Sequence, residues 1–328
     1  MNPSRQITAR AMFGLLCCAL SSWLPGCEES RRPVVVFHAA SLSKTLGQIE
    51  QGFEIKYPKL DLRLEPSGSQ VAARKVAELK RRADLVLVAD WRVIEDIMRP
   101  EYARFNLRFA ANELVLAYGE HSPRTAEIDA KNWPKILAQK NVRLGRAGEH
   151  TAPLGFQTLM LWQLEEMERG ADAVGGPDLA GRLAAHCDPA HVVPDIGELV
   201  SLLESRVIDY AFVFRSMAEE HRLKVLRLDS AINLADPKQE AGYARAQVKV
   251  NMRSGHEAVT VRGAPILYGL TVPPDAPHRK DALTAARYLL GPEARRVFVQ
   301  AGYKPLKPSP ASPEDLVPPE LSAASEPP

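Results

Sequence analysis

VVVFHAASLSKTLGQIEQGFEIKYP, residues 34–58, sets the reading of the whole chain. Val34 to Phe37 are β-forming and apolar, as in a buried strand. Small residues and one serine, Ser41, follow at the strand's end. Leu42, Leu46, Ile49 and Phe53 then recur at helical spacing until Pro58 closes the run. A strand, a small-residue turn and a helix form an anion seat in many folds, because a helix N-terminus presents unpaired N–H groups. The same arrangement also serves merely to turn a chain, so the rest of the sequence has to decide.

Working outward, the pattern repeats. LDLRLEP (60–66) alternates like a strand. After Ser67-Gly68-Ser69, Val71, Val76 and Leu79 outline a second helix, and ADLVLVAD (83–90) reads as a third strand. This βαβαβ order predicts a parallel sheet with right-handed crossovers. NELVLAYG (112–119), IDYAFVF (208–214) and PILYGLTVP (265–273) are further strands, and VRLGRAG (142–148) leads into a helix from about Pro153. GELVSLLESR is helical, and DALTAARYLLGPEARRVFVQAGY ends in two amphipathic helices. Ligands of open parallel sheets sit beyond the strands' carboxyl ends, where Ser41 and Ser69 both fall. Each serine also precedes its helix as an N-cap would, and capping alone explains either one.

Bulk properties narrow the function. The 328 residues, 45% hydrophobic and 25% charged, suffice for one large domain or two moderate lobes. Arg5 and Arg10 account for the whole formal charge of +2, so the chain beyond residue 26 is neutral. It has no basic excess to hold nucleic acid or anionic lipid electrostatically. Those two arginines, the apolar AMFGLLCCALSSWL and the LPGC that follows read as an export signal of residues 1–26. The apolar run is too short and too abruptly ended for a membrane span. Leu24, Gly26 and Cys27 resemble a bacterial lipobox, with Pro25 an unusual member, which implies cleavage before Cys27 and lipid attachment to its sulfur. Cys17 and Cys18 leave with the signal, and Cys187 then has no partner for a disulfide. Residues 27–33 make a polar tether. Residues 304–328 hold eight of the 26 prolines and are expected to be disordered.

One ordered series of motifs goes further. FHAASL, GSQVAARKVAEL, ADLVLVAD, MRPEYARFNLRFAANELVLAY, NWPKILAQKNVRLGRA, GFQTLM, DYAFVFRSMAEEH, INLADP and PILYGLTVP follow one another between residues 37 and 273. Together they resemble the tungstate/molybdate-binding proteins of ABC importers, the branch with archaeal members. The resemblance implies an α/β, two-lobed periplasmic-binding-protein fold with two crossover strands (type II) and mixed, mostly parallel sheets. Lobe one would hold 33–113 plus 270–303, and lobe two 114–269, with NELVLAYG and PILYGLTVP as the crossovers. The lobes would close on molybdate or tungstate by hinge motion. The closed form would deliver the ion to membrane permease subunits, with the lipid on Cys27 as the only membrane attachment. No enzyme activity, cofactor, free metal cation or nucleic acid is implied.

The resemblance also assigns a seat. Ala40, Ser41 and Ser69 match the family's first-lobe donors, with Ala40 where the family has glycine. Ala152 and Leu154 fall at the second-lobe helix start, with Thr151 and Val213 in the same region. The family's Asp ligand falls at Ala152 in APLGFQTLM, and its Glu ligand at Val213 in DYAFVFRS, where Phe214 also replaces a tyrosine. Neither Ala152 nor Val213 offers a side-chain oxygen, so the expectation is an unexpanded tetrahedral dianion held by N–H and O–H donors. Glu149 is expected to be a solvated loop charge.

Three alternatives stay open. One is another ligand, sulfate-like or organic. A second is a fold relative with Ser41 as nucleophile of a hydrolase or transferase, His38 lying three residues away without a supporting G-x-S-x-G elbow. The third is an adaptor with no ligand. HCDPAH (186–191) matches no standard metal-ligand spacing, and Trp91, Trp133 and Trp162 are expected in the core.

Overall fold

The structure, a computed structural model, describes residues 31–252, 255–307 and 309–321. The signal segment, Cys27 and most of the tether lie outside the described residues. Strands β1 (Arg32–Ala39), β2 (Leu60–Ser67), β3 (Leu85–Val88) and β4 (Asn106–Ala111) come first. Next are β5 (Leu114–Tyr118), β6 (Leu144–Ala147), β7 (Val192–Val193), β8 (Tyr210–Phe214) and β9 (Lys224–Arg227). β10 (Gln247–Val250), β11 (Val259–Arg262), β12 (Leu267–Thr271), β13 (Lys304–Pro305) and β14 (Ala311–Ser312) complete the order.

Two main sheets result. The first runs β13-β4-β12-β3-β1-β2, with β14 also on β4, and the second β7-β6-β8-β5-β9. β1 pairs in parallel with β2 and β3, as the βαβαβ pattern requires. Helices Ser43–Lys56 and Ser69–Ala77 are the connections. Elsewhere the sheets are more antiparallel than expected. β12 runs against β3 and β4, and β5 runs against β8 and β9. The chain leaves the first sheet after β4 and returns from the opposite direction, so β12 inserts antiparallel between β3 and β4. Asn112 and Glu113 form the outgoing link, where buried Glu113 binds Arg215 and Arg227, each at 3.1 Å.

Of the tail expected to be disordered, residues 304–307 and 309–321 are ordered against the first sheet, and 322–328 lie outside the described residues. β13 and β14 pair with β4, Arg108 N–H donates to Pro310 O at 2.8 Å, and Leu306 N–H donates to Phe109 O at 2.9 Å. β4 would otherwise end the sheet with unpaired backbone groups. Proline lacks a donor but keeps its carbonyl, which is what the β4 N–H groups need.

Separate aromatic clusters hold the two sheets' cores. Phe212 packs edge-on to Trp133 and Trp162, with ring centres 5.2 and 5.8 Å away. Phe109 meets Tyr268 at 6.0 Å and Phe298 at 5.5 Å. Deleting a buried ring of this kind costs about 3–5 kcal/mol. Trp91 is only half-buried and lies under the Arg108 guanidinium, 4.8 Å from its centre.

Candidate functional site

Three helices of the two halves start around one small cavity. It is lined by residues from β1 and the turn after it (Ala39, Ala40, Ser41), from the β2 corner (Gly68, Ser69), and by Ala89. Ala152, Pro153, Leu154, Asp195, Ile196 and Phe214 complete the wall. The space between the lining atoms, part of it open to solvent, is about 220 Å³. It suits a compact ion rather than an extended molecule. No Lys or Arg lines it, and Asp195 is its only charged lining residue.

The donors come from helix geometry. Helices Ser69–Ala77, Pro153–Arg169 and Ile196–Glu204 all begin at this wall. Their first N–H groups, among them those of Ser69, Leu154 and Ile196, have no intrahelical acceptor. Each N-terminus also carries about half a positive charge. Three converging dipoles therefore make the cavity attractive to an anion without a basic side chain. Close approach of the Pro153 helix depends on Gly155, where a methyl group would overlap the Gly148–Glu149 backbone.

Neither serine caps its helix. Ser41 sits in a 3₁₀ turn, Ala40–Leu42, ahead of the helix proper, and the Ser69 helix has Gly68 as its N-cap with no side-chain cap bond. Their hydroxyls have other partners. Ser41 Oγ lies 3.2 Å from Tyr268 OH, and Ser69 Oγ accepts from Ala89 N–H at 2.9 Å. Both serines are about 1% exposed. The capping explanation is thereby removed for both.

Ala40, Ser41, Ser69, Ala152 and Leu154 thus meet at one wall. Ala152 offers its methyl, because its N–H donates to Gly148 O at 3.1 Å. Thr151 is not in the lining, and its hydroxyl donates to Gly148 O at 3.1 Å. Val213 is buried against the sheet, and its strand neighbour Phe214 faces the cavity instead. Glu149 is not simply solvated. Burial is the largest single influence and opposes its ionisation, but the 2.6 Å bond from Arg146, a bond from its own backbone N–H and the charges of Arg146 and His150 together outweigh it and hold the carboxyl below its usual range.

Asp195, Ile196 and Phe214 were not signalled as site residues by the motif pattern. Asp195 caps the Ile196 helix by accepting from Glu198 N–H at 3.1 Å. The PDIGELV stretch (194–200), an Asp before a helical run, was the legible sign. Asp195 and Ala40 also border a wider cleft of about 660 Å³ with Lys44, Glu198, Glu220 and His221.

The catalytic alternative loses its base. His38 Nδ1 lies 2.9 Å from Ala39 O, and burial lowers the ring's pKa to about 4. His38 therefore folds as the neutral imidazole. The unfolded chain binds a proton near pH 6.5 and the folded chain does not, so this group favours unfolding progressively from pH 6.5 down to about 4. Above pH 6.5 it contributes no pH dependence. His38→Gln, which keeps an N–H donor for Ala39 O, should reduce the stability lost between pH 7 and pH 5 by roughly 1.5 kcal/mol. Urea melts at the two pH values measure this, and identical losses in both proteins would refute it. Burial also pushes the free Cys187 thiol up to about 12, which leaves it inert at neutral pH. Among the described residues no three His, Cys, Asp or Glu side chains gather as a metal site.

With the fold and wall described, comparison with known proteins defines the class. Residues 34–304 match the bacterial extracellular solute-binding protein family, and the chain belongs to it. The family is one of binding proteins, not of enzymes. More particularly, the chain is 33% identical over 320 residues to the molybdate/tungstate-binding protein WtpA of Pyrococcus abyssi, covering 91% of this chain and 92% of that one. It is 36% identical over 297 residues to an uncharacterized solute-binding protein of Petrotoga mobilis, covering 90% and 88%. Among solved structures, the periplasmic molybdate-binding protein of Azotobacter vinelandii superposes with a TM-score of 0.58 at 16% identity, covering 82% and 98%. The sulfate-binding protein SubI of Mycobacterium tuberculosis also gives 0.58, at 13% identity, covering 89% and 90%. The fold is the type II periplasmic-binding-protein fold. Among the described residues no helix is long and apolar enough to cross a membrane.

Proposed function

We propose that this protein captures molybdate or tungstate outside the cytoplasm and hands it to an ABC permease. The ion is held as a four-coordinate tetrahedron by N–H and O–H donors. The observation that carries this is the convergence of Ser41, Ser69 and three helix N-termini on one compact cavity with no basic side chain. Both ions are dianions with only acceptor oxygens, so donors are what the seat must supply. A hydrogen bond to a charged group contributes about 1.5–3 kcal/mol, and roughly five to seven approach the −12 kcal/mol of nanomolar binding after association costs. With alanine at 152 and valine at 213, no side-chain oxygen is offered there to expand the metal's coordination. The similarity to the WtpA proteins supports these two ions in particular.

Residues 33–113 with 270–303 form one lobe, joined at its edge by the ordered tail, and 114–269 form the other. They close by hinge motion around Asn112–Glu113 and the return into β12. Cys27, lipid-modified after signal cleavage, keeps the protein at the membrane face where the permease lies.

Calorimetric titration with molybdate, tungstate and sulfate tests the reading, and X-ray absorption of the bound metal tests its coordination. Tight binding of a four-coordinate heavy oxyanion is expected. Silence with all three, or a six-coordinate metal, overturns it. Ser69→Ala should weaken binding at least tenfold, about 1.4 kcal/mol, because a seat donor disappears. An unchanged affinity would remove Ser69 from the site. One observation favours a second reading. Asp195 in the wall is an acceptor, which a protonated oxyanion such as hydrogen phosphate would use.

A further inference from the structure

The hydrogen bonds behind Ser41 have a direction. Asn112 Oδ1 accepts from Glu113 N–H at 2.9 Å and lies 3.5 Å from Ser216 N, which fixes the amide's orientation. Its Nδ2 group therefore donates, to Ser216 Oγ at 2.8 Å and to Tyr268 OH at 3.3 Å. The Tyr268 oxygen is an acceptor in that bond, so its single proton goes elsewhere. Tyr303 gives its own proton to Ser41 O at 2.6 Å, which leaves two oxygens beside Tyr268 able to take its proton, Ser41 Oγ at 3.2 Å and the Tyr303 hydroxyl. Tyr268 is fully buried, and burial holds its hydroxyl protonated at every physiological pH.

We infer that Tyr268 is a positioning residue: anchored by Asn112, it donates to Ser41 Oγ and so leaves Ser41's own proton to point into the seat. This rests on the oxyanion reading of that seat. Ser69 reaches the same polarity by a different route, since its oxygen accepts from Ala89 N–H and its proton is left over. Both seat hydroxyls are thus set as donors before any ligand arrives. A freely turning serine presents lone pairs as readily as its proton, and lone pairs repel an oxygen that carries charge. Prior orientation removes the cost of turning the hydroxyl on binding. The relay also begins at Asn112, beside the outgoing link between the sheets, and passes through β12, the returning strand. The polarity of Ser41 is therefore fixed by the two segments at which the chain crosses between sheets.

Tyr268→Phe deletes only the oxygen. The ring remains edge-on to Phe109, Phe214 and Tyr303, with centres 6.0, 5.9 and 5.4 Å away, so the variant should fold. The test is a double-mutant cycle read by tungstate calorimetry. Tyr268→Phe alone should weaken binding about tenfold, yet less than twofold in a Ser41→Ala background. Equal losses in both backgrounds, or no loss in the wild type, overturn the relay. Tyr303→Phe is the control. Its hydroxyl serves Ser41's carbonyl, so its effect should persist when the Ser41 hydroxyl is absent. A second readout needs no ligand. In proton NMR of the ligand-free protein, a slowly exchanging Tyr268 hydroxyl signal should disappear in Tyr268→Phe and move in Ser41→Ala. Its absence from the wild type, or indifference to Ser41→Ala, overturns the relay. Failure of the wild type to bind tungstate defeats the functional reading instead, and the NMR result still decides the relay.

Discussion

Gly68→Ala should weaken tungstate binding at least a hundredfold while leaving the melting temperature of the ligand-free protein within a few degrees. Gly68 has φ of −58°, which alanine adopts without strain, so backbone freedom is not why glycine stands there. Space is. A methyl group at this position would overlap the Thr151 carbonyl and stand 3.0 Å from the Pro194 carbonyl oxygen. Both obstacles are backbone, from the loops that start the two helices on the opposite wall, so neither can rotate away. Relief requires the β2 corner to draw back from residues 148–152 and 193–195. That movement separates the cavity's walls and pulls Ser69 away from Leu154 and Ile196. Losing one of about six donors costs near tenfold, and losing alignment between two walls costs more, about 2.7 kcal/mol for a hundredfold. In the hinge opening proposed for the ligand-free protein the β2 corner draws back from these loops, so its stability should change little. Calorimetry and thermal melting with and without ligand measure both halves. Unaltered affinity would show that the walls do not need to meet.

How far the seat was legible in the sequence depends on how local each signal is. The strand–turn–helix pattern marks Ser41 and Ser69, because apolar periodicity and small residues act within a few positions. It leaves capping open for their hydroxyls, since the actual partners lie far off in sequence: Tyr268 comes from the returning strand, and Ala89 follows the third. The tail from Lys304 fails for a related reason. Its composition argues disorder, and only the open side of β4 gives its carbonyls something to bind. Ala152 and Leu154 are located by the motif APLGFQTLM, yet the motif does not tell which supplies a donor. That is decided by the loop, where Gly148 O accepts from Ala152 N–H. At 213–214 the strand's alternation decides, turning Phe214 and not Val213 to the cavity.

Asp195→Asn is the substitution that separates the two anion classes. Asparagine caps a helix as well as aspartate, so the bond to Glu198 N–H and the start of the Ile196 helix should survive. What changes is one negative charge in the wall of the seat. Two unit charges about 4 Å apart interact by roughly 1 kcal/mol in water and 4 kcal/mol near a protein surface, and a dianion doubles the term. Asp195 is partly exposed, and screening moderates the repulsion. On the order of 2 kcal/mol remains, so tungstate should bind about thirtyfold more tightly to Asp195→Asn than to the wild type. Hydrogen phosphate should respond in the opposite sense. Its proton needs an acceptor, and of the charged and hydroxyl side chains in the wall only Asp195 is one, because Ser41 and Ser69 are set as donors. Repulsion acts on both dianions, and only hydrogen phosphate offsets it, by donating its O–H to the carboxylate. Calorimetry of both proteins with both anions therefore yields four affinities and one decision. Tighter tungstate binding by Asp195→Asn leaves the donor-only seat standing. Weaker binding, together with wild-type affinity for hydrogen phosphate, would make Asp195 a ligand and assign the cavity to a protonated oxyanion.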